Sequence, residues 1–237
     1  MTIKAVLVDM GGVILEMDNS RGFPIERLDW RGREALLHLI RHCGGRASLD
    51  DLERLVFAPW HLGYERRREI GREESWDPHL RRLRKKAGIR ARNLTLLEAW
   101  FRPYGEQLEP IEGAVEALES LRSSGLRLSL VSNVPLPGRL YRGVLRRHGI
   151  LDWFQSLHFS YDAGSRKPSP AMMRSALGEL GVRATEAVMV GDRRANDVAA
   201  GRAAGTATVW VRSDDGGGPA ADFKVASLAE VPGLLAS

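Results

Sequence analysis

Cysteine is nearly absent from the 237 residues: Cys43 stands alone, which excludes an intramolecular disulfide and a cysteine-built zinc cage. The lone thiol reads as a small core or interface residue in a reducing compartment. Long apolar runs are missing too, and nothing approaches the roughly 20 residues that cross a bilayer, so no membrane partner is expected. The stretch Met1-Thr2-Ile3-Lys4 passes directly into Ala5-Val6-Leu7-Val8, with a charge where a signal peptide would need apolar residues; this predicts a cytoplasmic protein. Alternation of aromatic and basic residues, the mark of a base-stacking surface, is also lacking. The basic runs Arg66-Arg67-Arg68 and Arg81-Arg82-Arg84-Lys85-Lys86 sit among acidic residues in helical patterns. They read as solvated helix faces, and no specific nucleic-acid partner is expected. The net charge of +5 still favours the approach of small anions.

What the chain does have is a succession of short Val-, Leu- and Ile-rich runs alternating with helical patterns, which predicts an α/β fold, a doubly wound parallel sheet of Rossmann-like type. Strands are expected over 4–8, 127–131, 156–160, 187–190 and 207–211. Helices are expected over 111–124, with Ile111, Val115, Leu118 and Leu121 at helical spacing before Gly125, and over 169–180, with Met172, Met173, Ala176, Leu177 and Leu180 before Gly181. Residues 19–102 differ. They are rich in Arg, Glu and Leu, show no strand pattern, and carry helix punctuation at Ser48-Leu49-Asp50, Pro59, Gly71 and Pro78. The expectation is a core domain from 1–18 and 103–237 with an inserted helical cap domain at 19–102, beside the carboxyl edge of the sheet where open parallel sheets keep their ligand crevice. Asp214 and Asp215 fall in a Gly-rich stretch that reads as a solvated loop.

Polar groups recur at the expected strand ends. Asp9 follows the first strand and precedes Met10-Gly11-Gly12-Val13, Ser132-Asn133 follows the second, Lys167 falls after the third, and Asp192 after the fourth. Singly, each has an ordinary structural role, the aspartates and Ser132 as helix caps and Lys167 as a solvated cation. Parallel strands bring all four to one edge.

In this order, D-M-G-G-V (9–13), S-N (132–133), R-K-P-S-P (166–170) and G-D-R-R-A-N-D (191–197) resemble the motifs of the haloacid dehalogenase-like hydrolases, and the resemblance covers essentially the whole chain, including a type-one helical cap at the insertion. It implies a Mg²⁺-dependent phosphatase of a small phosphorylated metabolite, sugar phosphates among the candidates. Asp9 would be the nucleophile that forms an aspartyl-phosphate, and Lys167 would neutralise charge at the reacting phosphate. Asp9, the Gly11 carbonyl and Asp192 would hold the metal, Asn196 and Asp197 acting through water, while Ser132, Asn133 and Gly12 would bind substrate. A monomer or homodimer is expected.

The sequence departs from this pattern in one place: Gly11 stands where most phosphatases of the superfamily carry a second aspartate, the general acid-base. A substrate with a stable leaving anion, an acid supplied from elsewhere, or lost turnover in a phosphometabolite-binding or interaction protein would each account for it. A 2-haloacid dehalogenase, which needs neither metal nor leaving-group protonation, is the other alternative. In the insertion, Trp60, His61, Tyr64, Arg66 and Arg67 could line a pocket, although an aromatic cluster there is more commonly core. His38 and His42 lie one helical turn apart but lack a third ligand.

Overall fold

The computed structural model describes residues 2–17, 25–63, 66, 69, 71–211 and 217–236. Its centre is a six-stranded parallel sheet of β1 (Ala5–Val8), β4 (Arg127–Ser132), β5 (Ser156–Phe159), β6 (Ala187–Gly191), β7 (Ala207–Val211) and β8 (Phe223–Val225), ordered β5-β4-β1-β6-β7-β8. β1 and β6 are buried along their whole length, as continuous apolar runs require when helices cover both faces. The five expected strands are present, within a residue of the expected bounds.

β1 pairs in parallel with β4 on one side and β6 on the other, so the chain reverses its direction of winding about β1. That switch point opens a crevice at the carboxyl end of β1. The helices Ala114–Ser123 and Ala171–Leu180 pack on the sheet through Ala117, Leu118 and Leu121 and through Met172, Met173 and Ala176. The first begins later than expected. Gly113 adopts φ 75° and starts a new direction, leaving Ile111 in the preceding turn.

A second sheet was not expected: β2 (Leu15–Met17) pairs antiparallel with β3 (Leu108–Pro110) just after the Asp9 loop. Three-residue strands reading Leu-Glu-Met and Leu-Glu-Pro are too short to carry an alternation signal.

Between them, the described residues form helices joined by turns and irregular segments, with no strand. The helix Ile25–His42 lies along the helix Asn93–Gly105, and Gly32 permits the contact because a Cβ there would strike the Trp100 carbonyl. The Trp100 indole N–H also donates to Asp29 Oδ1 at 3.1 Å. Pro59 and Pro78 occupy first turns of helices, and Ser48 forms a capping box with Asp51. Arg81, Arg82, Lys85 and Lys86 are exposed on the helix Asp77–Ala87, whose buried face is Leu80, Leu83 and Ala87. The helix Asn93–Gly105 continues past position 102 and brings Tyr104 to the crevice. Cys43 is exposed just beyond the helix Ile25–His42 and is not a core residue. No helix among the described residues is long and apolar enough to cross a membrane.

Candidate active site

The crevice at the carboxyl end of β1 encloses about 490 Å³ and is lined by Asp9, Gly11, Gly12, Ser132, Asn133, Lys167, Asp192, Asn196 and Asp197. All nine residues singled out in the sequence therefore meet in one place. β1 holds Asp9 rigidly, because its pairing with β6 continues one residue further through Asp9 N–H to the Val190 carbonyl at 3.0 Å. The Asp9 loop then turns tightly: the N–H groups of Ile14 and Leu15 both donate to the Met10 carbonyl at 2.9 Å.

The two loop glycines do different work. Gly12 has φ 73°, and a Cβ on it would lie 2.5 Å from Asp192 Oδ2, so a bare Cα lets the two strand ends close on each other. Its N–H donates to the Leu15 carbonyl at 3.0 Å, inside the turn. Gly11 faces open space, with nothing within 4 Å of where its Cβ would be.

Lys167 is the electrostatic centre. Its side chain is 2% exposed, and its ammonium lies 2.9 Å from Asp9 Oδ1 and 2.5 Å from Asp197 Oδ1 while donating to the Val131 carbonyl at 2.8 Å. Burial alone would lower the Lys167 pKa, but the carboxylates of Asp197 and Asp9 overcome it and raise it, keeping the ammonium charged. Asn133 fixes the lysine from behind: its Oδ1 accepts from Lys167 N–H at 2.8 Å and its Nδ2 donates to the Lys167 carbonyl at 3.0 Å. The side chain expected to meet substrate thus clamps the loop that carries Lys167.

Asp192 follows β6, and its carbonyl accepts from the Trp210 indole at 2.8 Å. Burial, then the charges of Asp9 and Asp197, push its carboxyl up to about 7. Asp197, 1% exposed, accepts from Arg193 N–H at 2.9 Å. Burial raises its pKa as well, against the pull of Lys167. Gly191 leaves room for it, since a Cβ there would collide with the Asp197 side chain.

Asp9, Asp192 and Asp197 each offer a carboxylate oxygen, all within 4.8 Å of one another. Three carboxylates, those of Asp9 and Asp197 buried and that of Asp192 half-buried, outnumber the ammonium among them, and an all-oxygen set carrying surplus negative charge fits a hard divalent cation.

The insertion reaches the same crevice through a strap at 71–76. Arg166 N–H donates to the Gly71 carbonyl at 3.0 Å, Arg166 Nη1 lies 3.3 Å from Glu73 Oε1, and Ser160 Oγ donates to that oxygen at 3.0 Å. The Trp76 indole donates to the Pro135 carbonyl at 2.8 Å. Glu73, Tyr104, Tyr141 and Arg166 line the crevice, and sequence reasoning missed all four as site residues. Only Arg166, beside Lys167 in the Arg-Lys-Pro motif, carried a usable signal. Of the residues considered in the insertion, Trp60 is core, stacked on Trp76 with centroids 3.8 Å apart. His61 and Arg66 are exposed and away from the crevice lining, while Tyr64 and Arg67, like Asp214 and Asp215, lie outside the described residues.

A parallel sheet wound both ways from β1, with a lysine and three aspartates gathered at the carboxyl edge of its strands, defines a doubly wound α/β protein. The model of the haloacid dehalogenase-like hydrolases matches residues 3–205, and the chain belongs to that family. The ribulose-1,5-bisphosphate 5-phosphatase of Halopiger xanaduensis is 34% identical over 116 residues, 49% of this chain and 48% of that one. The chain spans about half the length of the curated relatives it matches. Among solved structures, a HAD phosphatase from Thermococcus onnurineus is similar over 98% of both chains, with 27% identity and a TM-score of 0.61. A 2-haloacid dehalogenase from Pseudomonas syringae shares the fold at a TM-score of 0.66, with 21% identity over 99% of both chains.

Proposed function

We propose that the protein is a Mg²⁺-dependent phosphatase of a small phosphorylated metabolite, sugar phosphates among the candidates, acting in the cytoplasm. The observation that carries this reading is the buried Lys167 ammonium 2.9 Å from Asp9 Oδ1 in a crevice shared with Asp192 and Asp197. We assign residues 1–18 and 103–237 to the core and 19–102 to a helical cap.

In this reading Asp9 attacks phosphorus, an Asp9–phosphorus bond forms and the ester bond to the leaving oxygen breaks. Water then attacks the aspartyl-phosphate, inorganic phosphate leaves and the Asp9 carboxylate is restored. Lys167 balances the charge gathered on Asp9 and the phosphoryl oxygens, while the Ser132 hydroxyl and loop N–H groups bind those oxygens. Asn133 keeps Lys167 in place. Asp9, Asp192 and the Gly11 carbonyl would hold Mg²⁺, with Asn196 and Asp197 one layer further out. The ion supplies neutralisation of phosphate charge. The dehalogenase alternative fits less well, because halide displacement needs no metal and gives no use for a carboxylate cluster of cation-binding spacing.

Phosphate release from p-nitrophenyl phosphate and a sugar-phosphate panel tests the reading. Turnover should require Mg²⁺ and vanish in Asp9→Asn. Turnover that survives both chelator and that substitution would overturn it.

A further inference from the structure

Away from the acidic cluster, the crevice ends in a different chemistry. Tyr141, on the helix Gly138–Arg147, is 4% exposed, and its ring is held by Phe101 and Phe159 at centroid distances of 5.1 and 5.9 Å. Its hydroxyl faces the crevice and finds no hydrogen-bond partner among the described residues. The hydroxyl is not among the buried polar atoms left without a partner, so it is open to the crevice, and a rigidly held hydroxyl that no protein group occupies is available to a ligand there. Burial, with Tyr104 and the Glu73 carboxylate nearby, pushes the phenol well above its usual range, which leaves it a neutral donor and acceptor. Beside it, Glu73, whose side chain is 4% exposed, is matched by Arg166, so this pair contributes no net charge. This end of the crevice offers hydrogen bonds to a neutral, hydroxylated group.

We propose that Tyr141 is a specificity-determining residue whose hydroxyl bonds a hydroxyl on the carbon skeleton of the substrate, so that the crevice selects phosphomonoesters of uncharged, polyhydroxylated chains over alkyl phosphates of equal length. The proposal rests on the phosphatase reading above for the placement of the phosphoryl group. A site built to hydrogen-bond a substrate hydroxyl penalises the analogue lacking it, because its own polar group is then left unpaired.

The test compares ribose 5-phosphate with pentyl phosphate. Wild type should favour ribose 5-phosphate by at least about tenfold in kcat/KM, and Tyr141→Phe should cut that ratio by about tenfold, the worth of about one hydrogen bond. A wild-type ratio near one, needing no variant, overturns the proposal, as does a ratio that Tyr141→Phe leaves unchanged. If neither ester is turned over, the phosphatase reading fails separately. The same ratio is then read as Kd by calorimetry with the wild type and Tyr141→Phe, and an unaltered ratio there sinks the proposal as well.

Discussion

At Gly11 the absence of a side chain shapes chemistry more than packing. The position has open space around its missing Cβ and is not among the glycines with positive φ, so a carboxylate fits without strain. General acid-base assistance is worth roughly 10²–10⁴ in rate. Without it, wild-type turnover should fall steeply as the leaving-group pKa rises across aryl and alkyl phosphates, and Gly11→Asp should flatten that slope, raising rates on the poorest leaving groups by at least about tenfold. A flat wild-type profile would remove the idea. Asp9, Lys167 and Asp192 were legible because each follows a strand and strand ends of a parallel sheet converge. Asn133 shows the limit of that logic: its place was readable, but its bonds to the Lys167 backbone depend on how two loops fold against each other.

Elements were readable in proportion to their length and burial. β1, β4 and β6 announce themselves as continuous apolar runs, whereas β2 and β3 exist only because they meet each other across more than ninety residues. The lining contributed by Glu73, Tyr104 and Tyr141 was hidden for the same reason, since each comes from a separate element with no motif. β5 at the sheet edge carries a pH-sensitive position. Burial lowers the pKa of His158 from 6.5, with Glu179 opposing and Arg142 adding to the effect. A group with a depressed folded-state pKa contributes stability that is complete above the unfolded value and is lost as pH falls through the folded one. Between about pH 8 and about pH 5, the thermal midpoint of wild type should therefore fall further than that of His158→Gln. Parallel curves would show that the ring titrates freely.

For the molecule as a whole, three crowded carboxylates are a liability that a bound cation would relieve, and the proposed Mg²⁺ would then link binding to folding. Adding MgCl₂ should raise the thermal midpoint, by the equivalent of about 2.7 kcal/mol at a hundred times Kd, and Asp192→Asn should weaken the response. A midpoint indifferent to Mg²⁺ would leave the cluster without its cation. The strap at 71–76 has a mechanical consequence of its own. Arg166 fastens the insertion to the core, and the very next residue carries the ammonium beside Asp9. A single peptide link therefore joins the residue that fastens the 71–76 segment to the residue whose ammonium pairs with Asp9, so the two contacts share one stretch of backbone.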